Sequence, residues 1–67
     1  MAEPDFARNL NRLIAERGMT PTQFRERSGI NGTTVYEYLN GTHAPSYAML
    51  RRIRATLGCT WDELLGD

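Results

Sequence analysis

Residues 20–41 read TPTQFRERSGINGTTVYEYLNG, and this stretch decides the fold. Thr20 is a favourable helix start, because its side chain accepts a hydrogen bond from a backbone N–H while Pro21 occupies the first helical position. Ser28-Gly29 breaks this first segment, and Gly41 closes a second one. The pattern predicts a helix over about residues 21–27, a tight turn, and a further helix capped by Asn31.

Few positions in this stretch are apolar, and their spacing is helical. Phe24 is the single strong apolar anchor of the first helix, and Ile30 is an apolar plug in the turn. The second helix has an apolar face that holds Val35, Tyr38 and Leu39. Its other face is polar, has no basic residue, and holds Gly32, Thr33, Tyr36, Glu37 and Asn40.

The flanking segments also show helical periodicity. A helix over about residues 4–17 carries one apolar stripe: Phe6, Leu10, Leu13 and Ile14. A fourth helix follows a Ser46 cap and points Leu50, Ile53 and Leu57 inward, and a fifth follows a Thr60 cap with Trp61, Leu64 and Leu65 as its apolar repeat. No segment alternates as a β-strand does, so the predicted fold class is a compact all-α bundle.

Length and composition limit the function. The 67 residues predict one domain over 1–67 with a small core, which leaves little room for a catalytic cleft. The formal net charge is zero, which argues against a nucleic-acid binder that works by electrostatics alone. The acidic N-terminus lacks an apolar signal region and no apolar run suits a membrane span, so we expect a cytoplasmic protein.

Catalytic and metal chemistry find little support. One cysteine and one histidine cannot supply a metal site, and the sequence contains no phosphate-binding glycine loop with lysine and no nucleophile motif. We therefore predict no enzyme activity, no metal and no cofactor. Cys59 is interpreted as a small packing residue, with a redox or dimer-linking thiol as the alternative.

The spacing from Phe24 through Gly41, continued by Pro45-Ser46 and by the run LGCTWDELL at 57–65, resembles the phage-repressor-like Cro/Xre family of helix-turn-helix proteins. The resemblance covers about residues 6–65. It implies a five-helix lambda-repressor-like bundle with the helix-turn-helix at helices 2 and 3. In that family, helix 3 reads base edges in the major groove of double-stranded DNA, while the start of helix 2 and the loop after helix 3 contact phosphates.

Carried over position by position, the resemblance implies two sets of residues. The base-reading set is Gly32, Thr33, Tyr36 and Glu37. The phosphate set is Thr20, Asn31, Asn40 and Thr42, to which we add Gln23, which lies near the expected glutamine position, and His43, whose loop approaches phosphate and whose titration would make that contact pH-dependent. Simple solvent exposure is the alternative for His43. The arginine cluster at 51, 52 and 54 is interpreted as a solvated helix face, with a phosphate-facing patch as the alternative.

The chain departs from the family pattern at five places. Pro21 stands where a phosphate-binding glutamine is usual, Arg25 where a small alanine is usual, and Gly32 where a side chain often touches a base. Glu37 stands where a basic or amide residue is common. Family members often pair an arginine in helix 1 with a glutamate late in helix 3; here those positions are Ile14 and Leu39, so we predict that these two side chains touch.

Two functions remain open at this point. The first is a sequence-specific, repressor-like transcriptional regulator that binds DNA as a homodimer. The second is a protein-interaction module on the same scaffold, such as an antitoxin, antirepressor or adaptor, with weak or no DNA binding. The zero net charge, the absence of basic residues from helix 3 and the proline at position 21 favour the second.

Overall fold

The structure is a computed structural model that describes residues 3–66, with side chains from residue 6 onward. This part of the chain forms five α-helices and no strand: α1 (Glu3–Glu16), α2 (Pro21–Ser28), α3 (Gly32–Asn40), α4 (Tyr47–Leu57) and α5 (Trp61–Leu65). The predicted all-α bundle with a helix-turn-helix at α2 and α3 is confirmed. No helix in the described range is both long enough and apolar enough to cross a membrane.

The helices begin where capping side chains satisfy free backbone donors. Thr20 and Thr60 each form a capping box with the residue three positions on, and the side chains of Asn31 and Ser46 accept from Thr33 N and Met49 N. The helices α2, α3 and α4 each end at a glycine in the left-handed region, at positions 29, 41 and 58. All four predicted caps are therefore present, and so are the predicted stops at Gly29 and Gly41.

One hydrophobic core lies between the helices. α1 packs against α3 and α5, and α2 packs against α3 and α4. Apart from Leu65, the predicted apolar residues of the five helices lie in this core or pack against it, together with Met19 and Cys59. Phe24, Leu10, Leu13, Ile53 and Leu64 are fully buried in it. Because Phe24 contributes the only large apolar side chain of α2, the attachment of α2 to the bundle depends on that residue.

The end of α5 is held by a side chain of α1. Asn9 is buried, and its Nδ2 donates hydrogen bonds to the carbonyl oxygens of Leu64 at 3.1 Å and Gly66 at 2.7 Å. Arg17 holds the end of α4 in the same way, because its Nε donates to Leu57 O at 2.9 Å. The last carbonyls of a helix have no partner within that helix, so these two side chains satisfy groups that would otherwise need water.

The fifth helix differs from the prediction at one position. Leu64 is buried and Trp61 is packed against the core, but Leu65 is 47% exposed. A helix of only five residues has room for one inward position per turn, and α1 covers the side of α5 that bears Leu64. Leu65 therefore lies on the surface and not in the core.

The predicted contact between Ile14 and Leu39 is compatible with the packing and stays a prediction. Ile14 is buried in the core, and Leu39 is partly buried against it. α1 and α3 are joined nearby, since Asn11 Nδ2 donates to Leu39 O at 3.1 Å.

Candidate nucleic-acid interface

The turn between α2 and α3 is built from local hydrogen bonds and one apolar side chain. Gly29 has φ 73°, a conformation that favours glycine, and its N–H donates to Arg25 O at 3.0 Å. The Ser28 hydroxyl accepts from Ile30 N at 3.2 Å and donates to Arg25 O at 3.3 Å. Ile30 is buried, so the turn is held to the core as the sequence predicts. This arrangement fixes the direction in which α3 leaves α2.

The inner face of α3 is packed firmly. Val35 is 1% exposed and Tyr38 3% exposed, and the Tyr38 ring meets the Phe6 ring edge to face at 6.2 Å. Burial, followed by the nearby charge of Glu37, raises the pKa of the Tyr38 phenol above its ordinary value. Tyr38 is therefore a neutral core residue at physiological pH and not part of a ligand-binding surface.

The outer face of α3 is open to solvent. Thr33 and Asn40 are exposed, Tyr36 is 57% exposed, and Glu37 is partly buried. Glu37 is the single charged residue between 32 and 40, so this face presents hydroxyl, amide and aromatic groups with one negative charge. These groups can donate to and accept from base edges and can pack on thymine methyl groups.

At its first residue, α3 receives a side chain from α2. A Cβ placed on Gly32 would lie 3.0 Å from Arg25 Cδ and 3.7 Å from Arg25 Nε. The stem of Arg25 would therefore have to shift by a few tenths of an ångström to admit a side chain at position 32. Two departures from the family pattern, arginine at 25 and glycine at 32, thus lie against each other, and the glycine leaves the arginine stem the most room.

Two of the phosphate candidates, Thr20 and Gln23, are exposed and hydrogen-bonded to each other. Gln23 N donates to Thr20 Oγ1 at 3.1 Å, and Thr20 N donates to Gln23 Oε1 at 2.9 Å. The reciprocal pair leaves the threonine hydroxyl proton and the glutamine Nε2 as donors for a phosphate. Pro21, between them, has no backbone donor to add.

A third candidate, Asn31, is the cap of α3. Its Oδ1 accepts from Thr33 N at 2.8 Å, which leaves its Nδ2 group as the outward donor. Asn31 is exposed. The cap therefore orients the amide and keeps two N–H groups available.

The remaining phosphate candidates follow α3. Asn40 ends that helix, and both it and His43 in the next loop are exposed. Thr42 already has both of its donors hydrogen-bonded, because its N–H at 3.1 Å and its hydroxyl at 3.3 Å both donate to Glu37 O. Thr42 thus closes the C-terminal end of α3, and only its oxygen lone pairs face outward unless the hydroxyl rotates.

The arginines of α4 do more than coat an exposed face. Arg52 NH1 donates to Ser28 O at 3.4 Å, at the end of α2. Arg54 NH1 donates to Cys59 O at 3.2 Å, and its guanidinium carbon lies 5.0 Å from the centre of the Trp61 ring. Both therefore have roles within the fold. Neither interpretation of the arginine cluster, as a phosphate-facing patch or as a solvated face, predicted these roles.

Cys59 matches the packing interpretation. Its side chain is buried in the core, and burial is the main reason that the pKa of its thiol lies above the ordinary value. A buried, protonated thiol reacts slowly with oxidants and electrophiles.

Sequence reasoning missed two features, the buried Asn9 and the approach of Arg25 to Gly32; for Arg25 it predicted crowding against helix 3, with the stem along the surface. An asparagine in the middle of an apolar helix stripe is an available signal for the first, because such a residue is buried only with partners. Arg25 and Gly32 are seven positions apart on different helices, so their proximity appears only once α2 and α3 are packed.

A comparison with known proteins bears on the family to which this chain belongs. A family model described as the Cro/C1-type HTH DNA-binding domain matches residues 9–67. No curated protein and no solved structure gave a significant match. Since the matched range covers most of the chain and includes α2, α3 and the turn between them, the protein belongs to the Cro/C1-type helix-turn-helix family of DNA-binding domains.

Proposed function

We propose that the protein is a sequence-specific, repressor-like transcriptional regulator in which α3 enters the major groove of double-stranded DNA. The observation that carries this function is the two-sided character of α3. Its inner face is fixed by buried Val35 and Tyr38, while Thr33 and Tyr36 project into solvent on the outer face. A rigid helix with a free polar face is what direct base readout requires.

Each base-reading residue has a defined role in this proposal. Thr33 hydrogen-bonds a base edge or packs its methyl on a thymine, and Tyr36 packs on thymine methyl groups or hydrogen-bonds a phosphate. Glu37 accepts from a cytosine amino group, which is the base contact that suits a carboxylate. Gly32 has no side chain to offer, so its contribution is to leave room at the start of the reading face.

The phosphate contacts come from both ends of the helix-turn-helix. Thr20, Gln23 and Asn31 supply donors at the start of α2 and α3, and Asn40, Thr42 and His43 lie at the end of α3. These contacts fix the position of the domain on the duplex without reading sequence.

A homodimer completes the regulator. One reading helix contacts few base pairs, so two copies on half-sites roughly 34 Å apart are needed for useful affinity. The surface around α5 supports a dimer contact there: Leu65 is 47% exposed and Tyr47 is 68% exposed, and the Tyr47 ring stacks on Trp61 at 5.9 Å. We assign no catalytic activity, metal or cofactor to the domain, and a cytoplasmic location is part of the same proposal.

Selection from a random pool of DNA duplexes at low salt tests the proposal directly. Enrichment of a two-fold symmetric site is expected. Glu37→Gln and Thr33→Val should then change the preferred bases, with a discrimination of about 1–3 kcal/mol lost for each good base contact. Glu16→Gln and Thr56→Val are the matched controls, because they make the same chemical changes on α1 and α4; both should leave the base preferences unchanged.

The second candidate function, a protein-interaction module, is favoured by one specific observation. Tyr36 is a large exposed ring on a helix without cations, as on many protein-binding surfaces. Salt titration separates the two functions, because DNA affinity should fall steeply as salt rises, in proportion to the phosphates contacted. If no duplex is enriched and Tyr36→Ala abolishes binding of a protein partner, the interaction module is the correct function.

A further inference from the structure

We propose that Arg25 of α2 supplies the cation that α3 lacks, by passing over Gly32 and reading a guanine at the N-terminal end of the reading face. This role rests on the proposed function, because it requires α3 to lie in the major groove. It makes Arg25 a specificity-determining residue that lies outside the helix expected to read bases.

The geometry of the first turn of α3 delivers the side chain. Arg25 Cδ lies 3.0 Å, and Nε 3.7 Å, from the place where a Cβ on Gly32 would be. Position 32 shares the outer face of α3 with Tyr36, one turn further along. The Arg25 side chain therefore passes beside the first residue of the reading face, where the helix itself contributes only a hydrogen atom, and its guanidinium lies within reach of that face.

The side chain is also free to bind. Its one described ion pair joins Arg25 NH2 to Glu26 Oε2 at 3.9 Å, and the two side chains are 45% and 64% exposed. An ion pair this long and this exposed holds its partners weakly. The N-terminal end of α3 carries a partial positive charge, which gives the guanidinium no reason to stay against the helix.

The charge balance of the reading face favours a base contact for this arginine. Between residues 32 and 40 the only charge is the carboxylate of Glu37, which repels phosphate. A guanidinium at the start of the same helix adds a positive charge to this end of the interface. Guanine presents O6 and N7 acceptors in the major groove, and the planar arginine fork matches both at once, which lysine does not.

Four variants test this role by selection from random duplexes and by salt titration on the selected site. Arg25→Gln removes the fork and the charge, and Arg25→Lys keeps the charge alone. Arg27→Gln is the matched control, since Arg27 is an exposed arginine two positions away on the same helix. Gly32→Ala displaces the Arg25 stem while favouring the helix.

We expect Arg25→Gln to lower the affinity by about 5- to 150-fold for each half-site, the discrimination of one bidentate arginine–guanine pair, and to abolish the preference for guanine at one position of each half-site. Arg25→Lys should lose much of that preference with little change in salt dependence. Arg27→Gln should leave every base preference intact. Gly32→Ala should cause a smaller loss, and none in the Arg25→Gln background, while thermal unfolding shows all variants folded.

Three results would overturn the role of Arg25. If Arg25→Gln weakens all sequences equally and lowers the salt slope by about one, Arg25 contacts a phosphate instead. If Arg25→Gln changes nothing while Glu37→Gln and Thr33→Val shift the base preferences, the proposed function stands and this inference fails alone. If the unaltered protein selects no sequence, both fail together.

Discussion

Replacing Asn9 with alanine should destabilise the domain far more than the same change two residues later. Asn9 is buried, and its amide donates to Leu64 O at 3.1 Å and Gly66 O at 2.7 Å. Asn11 also donates to two carbonyls, Ala7 O at 2.9 Å and Leu39 O at 3.1 Å, but its side chain is exposed. The two variants therefore compare one residue type on one helix, with two donated hydrogen bonds each, in buried and exposed surroundings; Asn9 Oδ1 in addition accepts from Arg12 NH2 at 3.3 Å.

The expected cost follows from the fate of the carbonyl groups. In Asn9→Ala the buried Leu64 carbonyl loses its partner, which lowers the free energy of unfolding by about 1–3 kcal/mol. The partly buried Gly66 carbonyl loses a hydrogen bond that contributes about 1 kcal/mol. Alanine returns about 0.5 kcal/mol of helix propensity, so the net loss is about 1.5–3.5 kcal/mol. For a domain of this size that corresponds to a fall in the melting temperature of about 6–28 °C. Asn11→Ala should cost less than about 1 kcal/mol, because water replaces its bonds.

Urea unfolding and thermal unfolding, both followed by far-UV circular dichroism, measure the difference between the two variants. The gain in helix propensity is common to both, so it cancels in the comparison. Equal stabilities for Asn9→Ala and Asn11→Ala would refute the conclusion that Asn9 holds the end of α5 against α1.

Three further predictions concern α3 and α5. The pKa of Glu63 lies below its ordinary value of 4.5, chiefly because the backbone N–H of Thr60 donates to its carboxylate. The contribution of Glu63 to stability should therefore be complete above pH 4.5 and should be lost as the pH falls through the lower pKa of the folded state. The acid unfolding curve of Glu63→Gln should lack this contribution. Leu39→Glu should lower the free energy of unfolding by about 2–3 kcal/mol, because it places an unpaired carboxylate in a partly buried site. Adding Ile14→Arg should restore part of that loss. An unchanged melting temperature for the single variant would exclude the Ile14–Leu39 contact. Leu65→Glu should leave the melting temperature of the monomer nearly unchanged and shift sedimentation equilibrium toward the monomer, whereas an unaltered association constant would move the dimer contact away from α5.

Most of the fold was accessible from the sequence because its signals are local. The starts of α2 to α5 depend on a side chain within three residues of the backbone N–H that it caps, as at Thr20 and Thr60. The stops of α2, α3 and α4 depend on a glycine with positive φ, as at Gly41. The apolar periodicity then identified nearly every core residue, and the spacing from Phe24 to Gly41 identified the family.

The candidate site was only partly accessible in the same way. Periodicity predicted that Thr33 and Tyr36 lie on the free face of α3, since that statement needs only the helical repeat. It could not show that Thr42 uses both of its donors on Glu37 O, because that depends on how the chain leaves the helix.

The sequence by itself determined where the helices begin and end, which face of each is apolar, and that α2 and α3 form a helix-turn-helix. Only the tertiary structure decided that Leu65 faces outward, that Asn9 holds the end of α5, and that Arg25 lies across Gly32. The physical reason is the range of the interactions: caps and periodicity act within one or two helical turns, whereas these three outcomes depend on which helix lies beside which. These outcomes involve contacts between residues of different helices, and no pattern within one helix encodes such contacts.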